Sequence, residues 1–324
     1  MGEGGGAARH HASKPSSLRI RGVDISYELT GAAEADSARP ALVLIHGFGA
    51  ARHTWNDVLP GLESGHAVLR IDLKGFGASG KPRDGRYSID EHAEILTELV
   101  IRASLPRVVL VGHSYGGAVA ILTWHKLRER QGPRVAGLVL VDAASYQQRL
   151  PFYITLYRSA VTRLAVRVTP PSWRARFVLE HLFVDRSRVN SERVERYASG
   201  MRMPGADYAS ATVAAQILPA DFAEATRIIP TIDVPTQIIW GERDRAVPVE
   251  FAWRLHREIR GSAIALIPEV GHMPHEERPQ QVLAVLEPFL ATLTAPARMD
   301  GLGVTLGAPD GAPTPLAGAS HGYL

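Results

Sequence analysis

Ser114 stands in the run Gly112-His113-Ser114-Tyr115-Gly116, directly after one aliphatic stretch and directly before another. A serine hydroxyl is a weak nucleophile in water. It becomes useful when a neighbouring base takes its proton and when N–H donors meet the negative charge that its attack creates on a carbonyl oxygen. Gly-x-Ser-x-Gly at a strand-to-helix junction supplies the presentation, because the sharp turn lifts Oγ out of the sheet edge. Gly112 removes a side chain that would clash in such a turn, and Gly116 with Gly117 lets the following helix pack close to the strand. A glycine-rich turn carrying a surface serine is common in a chain with 30 glycines. The weight therefore rests on the Val/Leu run before the motif and the Ala/Ile/Leu run after it, which match the strand–turn–helix setting the chemistry needs.

Such a serine requires an acid and a histidine later in the chain, in that order. Asp244, in Trp240-Gly241-Glu242-Arg243-Asp244, follows a predicted strand, and His272, in Gly271-His272-Met273-Pro274, follows the last one. In this reading His272 takes the Ser114 proton and returns it to the leaving group, while Asp244 sets the imidazole tautomer and steadies the imidazolium. Alternatives stand beside each. The chain has 13 histidines, most of them surface or packing residues. His272 is preferred over His275 for its place in the loop, and His113 points away if Ser114 points in. Asp142 ends another strand and can reach the same histidine, and Glu242 is a further carboxylate nearby. The oxyanion donors are assigned to the backbone N–H of Phe48, in His46-Gly47-Phe48-Gly49, and of Tyr115, the residue after the nucleophile. His46 is read as a brace for its loop rather than as a base.

These residues need a scaffold that brings five distant segments together. Short apolar runs at 18–21, 25–29, 41–45, 67–71, 108–111, 138–141, 236–240 and 263–267 alternate with helix-period stretches, which predicts an α/β protein with a mostly parallel sheet of about eight strands opening on a hairpin. In such sheets ligands sit at the carboxyl ends of the strands, where every candidate residue falls. The interval 145–232 has no good strand and reads as a helical cap inserted between core segments 18–144 and 233–294. Within it Tyr153, Tyr157, Val161, Leu164 and Val168 lie at helical spacing on one face, and Pro170-Pro171 stops the helix. The ordinary reading packs that apolar face on the core beneath a solvated face of arginines; the alternative is reversible contact of this basic cap with an anionic membrane surface.

The 324 residues, 45% hydrophobic and 21% charged, are those of an ordinary globular protein. A formal charge of +3 without Lys/Arg-rich runs gives no reason to expect a nucleic-acid partner. The absence of cysteine excludes disulfides, thiol catalysis and Cys-ligated zinc. Residues 1–17 lack the apolar segment of a secretory signal, Gly6 occupies the position where a myristoylation motif requires Ser or Thr, and 295–324 is Gly/Ala/Pro-rich without periodicity; both ends are expected to be disordered tails. No run of about 18 apolar residues is present, and the expected location is cytoplasmic. The sequence sets no oligomeric state.

Taken together, five motifs in order give a resemblance to the α/β-hydrolase fold family, from about residue 18 to 293: His-Gly-Phe-Gly at 46–49, Asp-Leu-Lys-Gly-Phe-Gly-Ala-Ser-Gly at 72–80, Gly-His-Ser-Tyr-Gly-Gly at 112–117, Gly-Glu-Arg-Asp at 241–244 and Gly-His at 271–272. Asp72 is given a structural role, and Lys74 stands where relatives often carry proline. Ser114 argues against the dehalogenases and epoxide hydrolases that resemble this chain, since these place an aspartate at the elbow. The resemblance implies cofactor-free hydrolysis of a small apolar ester, in keeping with Phe152, Tyr153, Leu156 and Tyr157 in the cap. Carbon–carbon bond hydrolysis of a vinylogous diketone acid and cofactor-free perhydrolysis are the alternatives within enzymes, and a ligand receptor is the alternative outside them.

Overall fold

The computed structural model describes residues 15–31, 39–217 and 219–294. Eight strands, β1 (Ser16–Ile20), β2 (Val23–Thr30), β3 (Ala41–Ile45), β4 (Val68–Ile71), β5 (Arg107–His113), β6 (Arg134–Val141), β7 (Thr236–Gly241) and β8 (Ala263–Ile267), form one sheet in the order β1-β2-β4-β3-β5-β6-β7-β8. β1 and β2 form the predicted antiparallel hairpin, and β2 joins β4 antiparallel; every other pairing is parallel. The hairpin turns on Arg21 and Gly22, both at positive φ (49° and 82°), as a two-residue turn that matches strand twist requires. β1 begins at Ser16, inside the expected tail; residues 1–14 and 295–324 lie outside the described residues.

Strand β3, Ala-Leu-Val-Leu-Ile, is buried throughout and shows how the two cores arise. Its odd residues Ala41, Val43 and Ile45 pack into one apolar cluster while Leu42 and Leu44 pack into another, because successive side chains leave a strand on opposite faces. Helices α1 (Leu59–Glu63) and α12 (Pro279–Thr292) cover the second face; α2 (Ile89–Arg102), α3 (Tyr115–Glu129) and α10 (Glu250–Glu258) cover the first. Ser88 caps α2, its side chain accepting from Glu91 N–H at 3.1 Å, with Asp90 and Glu91 in the first turn where the helix dipole favours negative charge.

Between β6 and β7 run α4 (Phe152–Thr155), α5 (Ala160–Val168), α6 (Pro171–Leu182), α7 (Ser191–Arg202), α8 (Ala206–Gln216) and α9 (Pro219–Ile228); the short α11 (Pro274–Glu277) follows β8. One expectation fails here. The face drawn through Tyr153, Tyr157, Val161, Leu164 and Val168 is split between α4 and α5. Tyr153 is buried and Tyr157 half-buried, but Val161, Leu164 and Val168 are 80%, 64% and 77% exposed. Among the described residues no helix is long and apolar enough to cross a membrane.

Candidate active site

The loops after β3, β5, β7 and β8 converge at the carboxyl edge of the sheet. Ser114 sits between β5 and α3 at φ 53°, ψ −121°, a conformation most side chains avoid. The strain is held by backbone bonds on both sides: Ser114 N–H donates to Val141 O (3.0 Å), and Ser114 O accepts from Gly117 N–H (2.8 Å) and Ala144 N–H (2.9 Å). Gly116 is dictated by close approach, since an added Cβ would overlap the Ile45 and His46 carbonyl oxygens.

The structure brings Ser114, His272 and Asp244 into one hydrogen-bonded line. His272 Nε2 lies 2.9 Å from Ser114 Oγ, and Nδ1 lies 2.8 Å from Asp244 Oδ2. The two side chains of that second pair are 2% and 0% exposed. Asp244 Oδ1 accepts from the Ala246 and Val247 N–H groups at 2.7 and 3.0 Å, which fixes the carboxylate plane and turns Oδ2 toward the histidine. The His272 loop is itself anchored. His272 N–H donates to Leu182 O at the end of α6 (2.9 Å), and Glu277 accepts from Gly271, Val184 and Asp185 N–H at 3.1, 3.2 and 2.7 Å.

The alternatives are placed elsewhere. Glu242 is exposed. His275 is fully buried, its Nε2 is 2.9 Å from Thr54 Oγ1, and burial, followed by His272 and Arg193, lowers its pKa to about 3. His113 points away from the Ser114 oxygen, donating from Nε2 to His272 O at 2.8 Å. Burial first, then His275 and His272, hold it well below the usual imidazole range, so a neutral ring packs 4.9 Å from the His272 ring. His46 is the brace expected: Nε2 accepts from Leu73 N–H (2.9 Å) and Nδ1 donates to Gly47 O (2.8 Å), a tautomer consistent with the lowered pKa that burial gives it. Asp72 accepts from Arg52 N–H and Ala78 N–H at 2.8 and 2.9 Å and pairs with the Arg52 guanidinium at 3.0 Å. Lys74 is fully buried on Asp84 (2.8 Å) and the Arg86 carbonyl (2.7 Å).

Asp142 is close to the line but outside it. It follows β6 at φ 44°, and its Oδ1 accepts from Gly241 N–H at 3.0 Å. Complete burial and then the Asp244 charge raise its pKa well above the usual carboxylate range. Asp142, Asp244 and His272 do place oxygen and nitrogen atoms within 4.8 Å of one another, as a metal site would. Nδ1 is engaged by Asp244, however, Asp244 Oδ1 by two backbone donors, and Asp142 is held toward its neutral form. That set lacks the free charged oxygens a hard cation takes.

Phe48 and Ser114 line the same cavity as His272. Among the described residues Phe48 N–H has no protein acceptor. Tyr115 is the first residue of α3, where aligned peptide dipoles favour negative charge. The cavity has a volume of about 400 Å³ and is roofed by cap side chains including Phe152, Tyr153, Tyr157 and Val166. Its cationic side chain is Arg174, which is 3.5 Å from Asp207 and 3.4 Å from Tyr157 Oη. Sequence reasoning missed Glu277 and the buried group joining cap to core, in which Glu276 accepts from Thr54 Oγ1 (2.6 Å) and Tyr197 Oη and pairs with Arg193 (3.2 Å), itself bonded to Asp57. These partners lie up to 222 residues apart and leave no local pattern.

The alpha/beta hydrolase family model matches residues 42–285. A protein of Mycobacterium tuberculosis, itself uncharacterized, is 30% identical over 281 residues, covering 81% of this chain and 78% of its own. The 2-hydroxy-6-oxo-2,4-heptadienoate hydrolase of Pseudomonas putida is 30% identical over 261 residues, 77% of this chain and 88% of its own. A thermophilic esterase from Thermogutta terrifontis superposes with a TM-score of 0.71 at 24% identity, over 87% of this chain and 100% of that one, a likeness of fold. The order of strands, the serine at the turn after β5 and the match over most of the chain agree, and the chain belongs to the alpha/beta hydrolase family.

Proposed function

We propose that the protein hydrolyses carboxylic esters with apolar acyl or alcohol groups through a covalent Ser114 ester. The observation that carries this reading is the unbroken line Ser114 Oγ, His272, Asp244 at the floor of an apolar cavity. Ser114 Oγ attacks the ester carbonyl as its proton passes to His272 Nε2, with the imidazolium steadied by Asp244. The carbonyl oxygen, now negative, takes the N–H groups of Phe48 and Tyr115. The tetrahedral intermediate collapses, breaking the bond to the alcohol oxygen, which receives the proton from His272. Water then repeats the sequence on the acyl-enzyme and restores Ser114. No step calls for a metal or an organic cofactor.

One observation favours a second reading. Carbon–carbon hydrolysis of a vinylogous diketone acid needs a cation for the substrate carboxylate, and Arg174 lines the cavity. The Pseudomonas putida relative carries the name of such a hydrolase. Against it, Arg174 is already beside Asp207 and the rest of the lining is mostly apolar, so the ester reading is preferred. Perhydrolysis would use the same serine, and nothing around the cavity favours it or a receptor role.

The test is turnover of p-nitrophenyl esters and of a vinylogous diketone acid by the protein and by Ser114→Ala, with fluorophosphonate labelling. Ester turnover that is lost with Ser114→Ala, and labelling at Ser114, support the proposal. Labelling without ester turnover, but with diketone cleavage that Arg174→Ala abolishes, replaces it with the second reading.

A further inference from the structure

Of the eleven large apolar side chains exposed among the described residues, seven fall between 152 and 177. Helix α5 divides them sharply. Thr162, Ala165 and Val166 line the cavity, whereas Val161, Leu164 and Val168 form an outward stripe that lines nothing. On α6, Trp173 (73% exposed) and Phe177 (61%) stand one turn apart and belong both to the surface and to the cavity wall, so exposed apolar side chains reach the cavity mouth. A concentration of exposed apolar side chains of this kind marks an interaction site.

The charge around it identifies the partner. From residue 143 to 179 the chain has six arginines and no aspartate, glutamate or lysine. Arg149, Arg158 and Arg163 are exposed and meet no carboxylate among the described residues. A second copy of this chain on the same face would set arginines against arginines. An apolar stripe with Trp and Phe beside it, flanked by unpaired guanidinium groups, is instead complementary to an anionic phospholipid bilayer, whose acyl boundary takes the stripe and whose headgroup phosphates take the arginines. We propose that the outer face of α5 and the adjoining rim of α6 dock on such a bilayer, placing the cavity mouth against the lipid so that apolar esters reach Ser114 from the membrane. The delivery step rests on the hydrolase reading above, and the docking does not.

The test uses the full chain with vesicles of phosphatidylcholine, with and without phosphatidylglycerol. Trp55, Trp124 and Trp240 are buried, and Trp253, which is 45% exposed, lies on α10 outside this face, so the part of a blue shift of tryptophan emission that Trp173→Phe removes reports on Trp173. Co-sedimentation and a blue shift are expected with phosphatidylglycerol vesicles, weakened by salt. The shift should be mostly lost with Trp173→Phe. Arg158→Gln with Arg163→Gln should weaken vesicle binding by at least about tenfold, and Leu164→Asp with Val168→Asp should abolish it. Both double variants should keep hydrolysis of a soluble short-chain ester, because none of these side chains lines the cavity. Equal binding to both vesicle types, or binding untouched by either double variant, overturns the docking. So does a concentration-dependent dimer that Leu164→Asp with Val168→Asp dissolves, since the face would then belong to a second copy. Vesicle binding that persists while Ser114 takes no fluorophosphonate leaves the docking standing and overturns the delivery.

Discussion

Replacing Asp244 with asparagine tests the proposed relay at its most constrained point. Asp244 Oδ1 accepts two backbone N–H bonds, from Ala246 (2.7 Å) and Val247 (3.0 Å), so an amide at this position must keep its oxygen there. Its NH2 then occupies the place of Oδ2, 2.8 Å from His272 Nδ1. Two donors cannot face each other, and Nδ1 gives up its hydrogen and becomes an acceptor. The proton moves to Nε2, 2.9 Å from Ser114 Oγ, where it blocks the acceptance of the serine proton. With both side chains buried, water cannot repair the tautomer. The same tautomer error in a serine protease triad costs about 10⁴ in kcat, or about 5 kcal/mol of barrier, and Asp244→Asn is expected to show a loss of that order in steady-state hydrolysis of p-nitrophenyl butyrate. Circular dichroism should be unchanged, because the oxygen that holds the loop is retained. Asp142→Asn keeps its acceptor for Gly241 N–H and touches no part of the His272 ring, so kcat should stay within about tenfold. A mild Asp244→Asn phenotype would refute this reasoning, and the reverse ranking would make Asp142 the acid.

Stability should carry its own signature of Asp142. Its pKa is raised in the fold, so its contribution is fully present below about pH 4, the ordinary carboxylate value, and is lost as pH rises through the raised value. Urea unfolding of Asp142→Asn against the parent should therefore move in favour of the variant between pH 4 and pH 8, and a flat difference would sink the assignment. Arg193→Ala removes the partner of the buried Glu276 and should cost about 3 kcal/mol or more by the same method, as deletion of one member of a buried pair does; a loss under 1 kcal/mol would mean that Tyr197 and Thr54 suffice. Across a p-nitrophenyl acyl series kcat/KM should rise about fourfold per methylene while the chain is filling the cavity, from about 0.8 kcal/mol per buried CH₂, and equal turnover of acetate and hexanoate would exclude the cavity as the acyl site. Gly47→Ala puts a methyl 3.0 Å from both His113 Nδ1 and Ser114 Cβ, and should lower kcat more than it lowers thermal stability; the opposite pattern would make the loop a purely structural element.

The elbow and its partners were legible because their geometry constrains the local sequence. Ser114 at positive φ against two strand-end carbonyls demands glycine at 116, and the residues after β7 and β8 must sit at strand ends to meet it. A pattern of that kind survives in a single sequence. The sheet was legible for the same reason: fully buried parallel strands such as β3 must be aliphatic on both faces. What resists reading is anything settled by contacts distant in sequence. The choice between Asp142 and Asp244 depends on which carboxylate receives backbone N–H bonds that orient it to His272, and both end a strand. Lys74 is fully buried through Asp84 and the Arg86 carbonyl, ten and twelve residues on, with Glu91 and the Tyr87 ring beside it.

The cap shows the limit of periodicity most plainly. Spacing places Val161, Leu164 and Val168 on one side of a helix, and they are on one side, but spacing carries no information about what lies opposite. The chain bends between α4 and α5 at Leu156–Ser159 without proline or glycine to announce it, so Tyr153 and Tyr157 turn to the cavity while the later three turn outward. On its other flank the cap is tied to the core by Arg193, Tyr197 and Glu276 in α7 and α11, a buried polar group that fixes one end. Among the described residues helix α5 has no such tie. Its inner residues Thr162, Ala165 and Val166 line the cavity that holds Ser114, and its outer residues Val161, Leu164 and Val168 are exposed, so an element that closes the cavity also carries an apolar face that is unsatisfied in water. An apolar surface that docks there lowers the free energy of that exposed stripe and of an apolar ester entering beside it by the same physical cause.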